Sequence, residues 1–245
     1  MSSTVIIIPT RLQARRLPNK PLKLIKKKEM ILHVHDLAVK SGVGEVLVTT
    51  PDKIISELIT KNNGKSFVSK DTHETGTDRV FEAFKKFYSS KPEIIINLQG
   101  DMPNLNPDDI ITLRDYLKSK KCHMGTLASD LKDEEELRDR NVVKVITKTT
   151  IENSDFSEAL DFKREVTDKE DKYIYHHIGI YGFTKEALIR YVNLKRSKLE
   201  IERNLEQMRA LEDKMKIHAG YTSSNPLSVD TNEDLEKVKK EMEKK

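Results

Sequence analysis

The sequence has a single cysteine, no tryptophan and only 6% aromatic residues among its 245 positions. One cysteine, Cys122, excludes a disulfide framework and a zinc site built from paired cysteines. The scarcity of aromatic rings argues against a surface on which nucleic-acid bases stack. No segment approaches the roughly 20 apolar residues of a membrane-spanning helix. The short apolar run at the N-terminus becomes charged by Arg11, which is not typical of a signal peptide. We therefore expect a soluble, cytoplasmic protein.

Positive charge is concentrated in one loop, although the net charge is only +4. The apolar run at residues 5–8 leads into a segment that carries Arg11, Arg15, Arg16 and Lys20, stiffened by two prolines. Four neighbouring cations repel one another unless a polyanion such as a triphosphate lies among them. The alternative is an ordinary solvated basic loop. Because the charge is local, the sequence does not indicate a nucleic-acid binder.

The first half of the chain alternates between strand and helix patterns. A strand without internal alternation, such as Ile94-Ile95-Ile96, is typical of a parallel sheet that is buried on both faces. The rhythm predicts an α/β fold with a Rossmann-like, mostly parallel open sheet that binds ligands at the carboxyl ends of its strands. The predicted strands are 4–9, 45–50, 66–69 and 93–98, and the predicted helices are about 30–41, 52–62 and 78–88.

The second half is less regular. Residues 148–172 are polar, lack a clear period and could form a lid, a dimerisation arm or a mobile excursion. We treat residues 1–245 as a single domain in which about 130–183 form such an excursion. The predicted strands are 124–129, 142–147, 173–183 and 216–221, and the predicted helices are about 185–192, 198–213 and from Thr231 onward, with Thr231 as N-cap.

Two aspartates are candidates for holding a metal ion. Asp101 follows Gly100 at the end of a predicted buried strand, and Asp230 stands between a strand-like run and a helix start. Mg²⁺ prefers one or two carboxylates together with phosphate oxygens and water. The alternatives are a turn aspartate at position 101 and an ordinary helix-start acid at position 230. Sequence alone does not show that the two meet.

Two further segments carry polar side chains in a suggestive setting. Residues 73–79 form a compact turn that opens a helix, where Gly76 allows close approach and helix amides favour anions. A well-capped helix without a ligand is the alternative. In residues 205–211 the spacing of Leu205, Met208 and Leu211 predicts a buried stripe, so Glu206 and Gln207, taken alone, are expected at the surface.

Taken together, these segments resemble the nucleotide-diphosphosugar transferase fold and, more narrowly, the 3-deoxy-manno-octulosonate (Kdo) cytidylyltransferases. The resemblance spans nearly the whole chain in the order and spacing of that family. The opening loop occurs in several cytidylyltransferases, whereas the complete ordered set is much more specific. The matching segments are residues 8–11, 16–22, 73–79, 99–101, 141–145, 177–183, 205–209 and 229–231.

The resemblance implies that CTP and Kdo react to CMP-Kdo and pyrophosphate with Mg²⁺, in a cytoplasmic homodimer that feeds lipopolysaccharide assembly. By position it places Arg11, Arg16 and Lys20 on the phosphates, with Lys20 counted among the catalytic groups beside Asp101 and Asp230, which would hold Mg²⁺. Arg79 and Gln99 would line the nucleotide pocket. The residues implied to face the sugar are His177, Tyr181, Glu206 and Gln207.

Several positions depart from the family pattern. Asn19 stands where glycine is common, and Met102 replaces the acid that usually follows the metal aspartate, so Met102 is not counted as a ligand or base. Arg203 stands where an acid is common. The largest departure is Glu158, which reverses the charge of an arginine that helps the family to bind the sugar acid.

Glu158 suggests a different substrate as an alternative. A carboxylate there would repel a sugar carboxylate and could pair with the ammonium group of 8-amino-3,8-dideoxy-manno-octulosonate. Otherwise Glu158 faces solvent, and Lys163 or Arg164 takes over the task of the missing arginine. Two wider alternatives are a cytidylyltransferase for another acid sugar, such as a nonulosonic acid, and a non-catalytic regulator that binds nucleotide. Retention of both aspartates argues against the regulator, because binding alone needs no two-acid metal site.

Overall fold

The computed structural model describes residues 3–14, 16–70, 72–89, 91–119, 122–152, 155–167 and 172–244. By its internal contacts the chain divides into two compact units, Met1–Ile111 with Pro226–Lys245, and Thr112–Asn225. Arg15, one of the four predicted loop cations, lies outside the described residues. Within the described part of the chain, no helix combines the length and the apolar character needed to cross a bilayer.

The secondary structure follows the predicted β-α alternation in the first half. Two short strands form a hairpin after the opening loop, and a 3-10 helix at Lys20–Leu22 precedes it. In chain order the elements are β1 (Thr4–Pro9), β2 (Leu24–Ile25), β3 (Lys28–Glu29), α1 (Met30–Ser41), β4 (Glu45–Thr50), α2 (Lys53–Lys61), β5 (Lys65–Val68), α3 (Gly76–Tyr88), β6 (Ile94–Leu98), α4 (Pro107–Lys118), β7 (Met124–Ser129), β8 (Lys144–Thr147), β9 (Phe156–Lys163), β10 (Ile174–Thr184), α5 (Lys185–Asn193), α6 (Lys198–Arg203), α7 (Met208–Glu212), β11 (Ile217–Tyr221) and α8 (Asn232–Glu243).

The first unit contains a parallel sheet. Its strands lie in the order β5-β4-β1-β6, and each neighbouring pair is parallel. Ile6, Ile7 and Ile8 on β1 are fully buried, as are Ile95 and Ile96 on β6. Side chains on both faces of these strands are therefore removed from water, which explains the unbroken apolar runs. The predicted parallel sheet is confirmed here, and its strand bounds differ from the prediction by at most one residue.

The second unit has a mixed sheet. Its strands lie in the order β10-β7-β11-β9-β8, with β7 and β11 parallel and the other pairs antiparallel. The long strand β10 also pairs with β8 through its first residues, so these five strands close on themselves. This mixed, closed arrangement differs from the parallel sheet of the first unit.

Two details of the second unit depart from the sequence prediction. Strand β9 lies within residues 148–172, where no regular element was predicted. The strand pattern of β9 is hard to see in the sequence because the charged residues Glu158 and Asp161 interrupt it. In the structure Glu158 pairs with Lys148 and Asp161 pairs with Arg203. The helix predicted at 198–213 is broken into α6 and α7, because Asn204 takes up a left-handed conformation with φ 52°. The prediction that about residues 130–183 form a lid or a dimerisation arm within a single domain stays a prediction.

Candidate active site

The opening loop is closed by hydrogen bonds that run inside the first unit. The backbone N–H of Leu12 donates to the Asp52 carboxylate at 2.7 Å, and the N–H of Asn19 donates to the carbonyl of Leu12 at 3.3 Å. Leu17 is buried and anchors the middle of the loop. Asn19 has φ 56°, a left-handed conformation that asparagine tolerates, which explains why it can stand where glycine is common. The loop thus holds Lys20 at the start of a short 3-10 helix.

The Lys20 ammonium group joins the two candidate metal ligands. Its Nζ lies 2.9 Å from an Asp101 carboxylate oxygen and 3.0 Å from an Asp230 carboxylate oxygen. Burial alone would lower the pKa of Lys20, but the charges of Asp101 and Asp230 outweigh it and raise the pKa above its ordinary value. Lys20 is therefore protonated at neutral pH, and the two carboxylates that sequence could not connect lie at one site.

A backbone contact explains how Asp230 reaches Asp101. The N–H of Val229 donates to the carbonyl oxygen of Asp101 at 2.9 Å, so the two segments run side by side. Val229 is buried in an apolar cluster with Leu17 and Leu235. Directly after Asp230, Thr231 and Asp234 form the predicted capping box that starts α8. The C-terminal helix thus anchors the second aspartate against the opening loop.

The two carboxylates fit a divalent cation. Since both contact one nitrogen at 3.0 Å or less, the contacting oxygens are at most about twice that distance apart. Both side chains are partly exposed, so added ligand oxygens can reach them. The described residues gather no group of three or more His, Cys, Asp or Glu side chains that could hold a metal. A hard cation here would take two protein carboxylates and complete its shell with phosphate oxygens and water.

Arg16 and Arg11 lie near the surface of the protein. Arg16 donates from Nη2 to Asp230 at 2.8 Å, and both side chains are about half exposed or somewhat less. Arg11 is exposed. Asp230 therefore already balances part of the loop charge, while Arg11 extends the positive field beyond the carboxylates.

Residues 73–79 form the helix start that the sequence predicted. α3 begins at Gly76, and Thr75 and Asp78 form a reciprocal capping box. Gly76 lies against the side chains of Gln99 and Pro9. A Cβ added to Gly76 would stand 3.4 Å from Gln99 Oε1, so the glycine permits this close packing. The start of α3 thus lies at the ends of β1 and β6, beside the predicted nucleotide residue Gln99. Gln99 itself donates to Asn97 Oδ1 at 2.9 Å.

Arg79 is placed differently from the simplest expectation. It is almost fully buried and donates to the Ser69 hydroxyl at 2.5 Å and to the Lys70 carbonyl at 3.1 Å. His73 contacts the Glu82 carboxylate at 2.7 Å. Together these contacts fix the loop before α3, and those of Arg79 give it a structural task. Its role in the nucleotide pocket stays a prediction.

Met102 is buried, with 2% of its surface exposed. Its side chain therefore packs in the interior of the first unit and offers no ligand to a metal at Asp101.

His177 lies in the interior of the second unit. Its Nε2 is 2.9 Å from the hydroxyl oxygen of Thr126, whose single proton is directed to the Ile180 carbonyl at 2.8 Å. The His177 Nε2–H is therefore the donor in that contact, which leaves Nδ1 as an acceptor. Burial lowers the pKa of His177 to about 3. His177 is thus a neutral imidazole, oriented by a residue that sequence reasoning missed.

Among the remaining sugar-side candidates, Tyr181 lies beside His177. The Tyr181 ring centroid is 5.5 Å from that of His177, and Phe162 meets the imidazole edge-on at 5.0 Å. Burial, and then the charge of Glu206, raise the pKa of Tyr181 well above its ordinary value. Gln207 is 2% exposed, so the expectation of a surface side chain is wrong for it. Within the described residues its Nε2 has no hydrogen-bond partner.

Glu158 is a partly exposed residue of β9. Along β9 the residues Ser157, Ala159 and Phe162 are buried, whereas Glu158 is 38% exposed and lies 3.5 Å from the exposed Lys148. Since successive side chains of a strand point to opposite faces, Glu158 and its neighbours Ser157 and Ala159 face different sides. Its predicted sugar contact stays untested.

The alternative cation Arg164 is engaged elsewhere. Its nitrogens donate to the backbone carbonyls of Arg203, Arg140 and Asn204 at 2.9 to 3.0 Å. Arg164 therefore ties backbone segments together, which does not favour it as the group that replaces the missing family arginine.

With this geometry in place, comparison with known proteins decides the family. The family model described as cytidylyltransferase matches residues 5–217. The 3-deoxy-manno-octulosonate cytidylyltransferase of Bartonella tribocorum is 38% identical over 237 residues, covering 96% of this chain and 97% of that protein. The chain belongs to the 3-deoxy-manno-octulosonate cytidylyltransferases. It is a nucleotidyltransferase, and enzymes of this kind commonly use a divalent metal.

Further relatives agree with this assignment. The 3-deoxy-manno-octulosonate cytidylyltransferase of Rhodopseudomonas palustris (strain BisB18) is 38% identical over 240 residues, covering 98% of this chain and 97% of that protein. Among solved structures, CMP:2-keto-3-deoxy-manno-octonic acid synthetase complexed with CTP is 33% identical and superposes with a TM-score of 0.87 over 99% of both chains. The predicted α/β nucleotidyltransferase fold is confirmed.

Proposed function

We propose that this enzyme transfers the cytidylyl group of CTP to 3-deoxy-D-manno-octulosonate, giving CMP-Kdo and pyrophosphate. The observation that carries the proposal is the meeting of Lys20, Asp101 and Asp230 at one point. Two carboxylates beside a fixed ammonium suit a metal–triphosphate complex, since the carboxylates hold the cation and the ammonium neutralises phosphate charge. Binding of a nucleotide alone would not require both the carboxylates and the ammonium.

The anomeric hydroxyl oxygen of the sugar attacks the α-phosphorus, the bond to the pyrophosphate oxygen breaks, and the hydroxyl proton is released. Lys20, Arg11 and Arg16 neutralise charge on the triphosphate and on the departing pyrophosphate. Phosphoryl transfer needs little covalent help from a protein, so positioning and charge neutralisation supply most of the rate enhancement. The helix start at Gly76 and Gln99, together with Arg79, would line the nucleotide pocket.

Asp101 and Asp230 are the residues that would hold Mg²⁺. When bound, the ion supplies charge neutralisation at the α-phosphate and makes the sugar hydroxyl more acidic. Hard carboxylate oxygens suit Mg²⁺ as they suit Ca²⁺ and Mn²⁺, so the assignment of Mg²⁺ follows the family resemblance.

His177, Tyr181, Glu206 and Gln207 are proposed to bind the sugar. A neutral imidazole, a protonated phenol and an amide offer donors and acceptors suited to hydroxyl groups. The buried Gln207 amide nitrogen supports this, because buried polar groups are normally satisfied and a ligand oxygen would satisfy this one.

The wider setting follows the family resemblance. The enzyme would work in the cytoplasm as a homodimer and supply activated Kdo for lipopolysaccharide assembly. The amino-sugar alternative is not favoured by the position of Glu158, whose carboxylate is matched by the exposed Lys148.

The proposal is tested by pyrophosphate release from CTP and Mg²⁺ with Kdo and 8-amino-3,8-dideoxy-manno-octulosonate offered in parallel. We expect release with Kdo. A strong preference for the amino sugar would replace Kdo as the substrate. Release with neither sugar would point to another acid sugar or to a non-catalytic nucleotide-binding protein.

A further inference from the structure

A buried ion pair lies directly behind the turn that carries Glu206 and Gln207. Arg209 donates from Nε and Nη2 to the two carboxylate oxygens of Glu200 at 2.8 and 2.7 Å. Glu200 and Arg209 are 1% and 3% exposed. Burial alone would raise the pKa of Glu200, but hydrogen bonds from Arg209 and Arg196 outweigh it and lower the pKa. The pair is thus a charged, bidentate contact in the interior of the second unit.

The Glu200 carboxylate also organises its own helix. It accepts from the backbone N–H of Ser197 at 3.2 Å as part of a capping box and from Arg196 Nε at 3.0 Å. Leu205 closes the far end of α6 by donating its N–H to the carbonyl of Glu200 at 3.2 Å. One residue therefore fixes both the start of α6 and the beginning of the following turn.

Arg209 links the same turn to α5. Its guanidinium carbon stands 4.8 Å from the centroid of the Tyr191 ring. The Tyr191 hydroxyl donates to the carbonyl oxygen of Glu206 at 2.9 Å, and the Arg209 N–H donates to that same carbonyl at 3.3 Å. Tyr191 is itself 1% exposed. The backbone of Glu206 is thus held from two sides.

We propose that Glu200, Arg209 and Tyr191 are positioning residues that hold the 204–207 turn in the conformation needed for sugar binding. The three side chains act on the backbone of the turn, whereas Glu206 and Gln207 provide its ligand-facing groups. A buried bidentate pair resists rotation of either partner, and the hydroxyl contact fixes the peptide of Glu206. The inference rests on the proposed sugar-binding role of Glu206 and Gln207.

Tyr191→Phe is the mildest test because it removes only the hydroxyl contact. We expect the KM for Kdo to rise about fivefold, as for loss of one neutral hydrogen bond, while the KM for CTP stays within about twofold. Glu200→Gln keeps the shape but weakens the pair, and we expect a rise of tenfold or more in the KM for Kdo, about the effect of losing a charged hydrogen bond. Arg190→Gln is the matched control. It breaks a contact from α5 to the end of α7, where Arg190 Nε meets Asp213 at 2.7 Å, and leaves the 204–207 turn untouched.

Amide hydrogen exchange provides a readout that does not require a substrate. In Tyr191→Phe and Glu200→Gln, the amides of residues 205–209 should exchange faster than in wild type and in Arg190→Gln. Unchanged exchange in both variants would overturn the positioning role whether or not the wild type is active. Faster exchange with equal changes in the KM of Kdo and CTP would show that the pair serves stability alone and would equally overturn it. If wild type fails to turn over Kdo while exchange responds as expected, the substrate assignment fails and the positioning of the turn stands.

Discussion

Asp101 and Asp230, far apart in the sequence, accept hydrogen bonds from one ammonium group at 2.9 and 3.0 Å. In this arrangement Lys20 neutralises charge that a metal ion would otherwise balance. The backbone contact from Val229 to Asp101 keeps the carboxylates together independently of that ammonium. The site is therefore organised before substrates bind. Substitutions of its charged groups are expected to have different effects on metal binding and turnover.

Asp101→Asn should reduce kcat by at least about a hundredfold, since it removes a charged group from the site of phosphoryl transfer. Affinity for CTP should change much less, because the loop cations that are proposed to contact the phosphates are intact. Steady-state pyrophosphate release and CTP binding by calorimetry separate the two effects. Asp108→Asn, an exposed acid in the first turn of α4, serves as the control and should behave as wild type. Retained turnover in Asp101→Asn would disprove the metal assignment.

Lys20→Met should have opposite effects on metal and on turnover. Without the ammonium, the two carboxylates repel each other and attract a cation more strongly, so Mg²⁺ should bind more tightly in the absence of CTP. Turnover should nevertheless fall, because a phosphate-neutralising group is lost. Calorimetric titration with Mg²⁺ measures the first effect and pyrophosphate release the second.

The matched control for that experiment is Lys23→Gln, which removes one charge just beyond the 3-10 helix. If Lys20→Met and Lys23→Gln bind Mg²⁺ equally, the contacts between Lys20 and the aspartates do not control cation affinity.

The fold of the first unit could largely be predicted from sequence. Buried parallel strands carry long apolar runs, and the chemistry follows their carboxyl ends, so Asp101 and the opening loop were placed correctly. The meeting of Asp230 with Asp101 was not predictable. It depends on the Val229 backbone contact and on the packing of α8 against Leu17, neither of which leaves a local pattern.

The second unit was harder to predict because its polar residues are buried in pairs. Taken alone, the spacing around Leu205 assigned Gln207 to the surface, whereas Gln207 and Arg209 are interior. The charges of Glu200 and Arg209 suggest an exposed segment in the sequence, whereas in the interior the two side chains neutralise each other. One signal was present in the sequence, since Ser197 and Glu200 have the spacing of a capping box and so mark the start of α6.

Glu158→Arg should leave the relative turnover of Kdo and its 8-amino analogue unchanged within about twofold. The Glu158 carboxylate lies 3.5 Å from Lys148, which is itself largely exposed. The substitution therefore removes an exposed ion pair, and such pairs contribute little energy. Both sugars are compared at equal concentration with wild type and variant. A shift toward Kdo in the variant would mean that Glu158 reaches the sugar and would restore the amino-sugar alternative.

His177 should make the folded state sensitive to acid. Burial lowers its pKa from the ordinary 6.5 to about 3, so between these values the unfolded chain binds the proton more readily than the folded one. The stabilisation is fully present above pH 6.5 and is lost progressively as pH falls toward 3. From pH 6.5 to 5 the free energy of unfolding should drop by about 2 kcal/mol on account of this group. Burial also lowers the pKa of His176 and His218, which adds to the decline.

Urea unfolding of wild type and His177→Gln at pH 7 and pH 5 isolates that contribution. Glutamine can still donate to Thr126 but does not titrate, so the variant should lose less stability on acidification than wild type does. His123→Gln makes the same replacement at an exposed histidine of the same unit and serves as the control for the substitution itself. Equal slopes for wild type and His177→Gln would mean that His177 binds its proton as readily in the folded state as in the unfolded chain. The imidazole would then not be held neutral by burial, and its assignment as a neutral partner for sugar hydroxyls would fail.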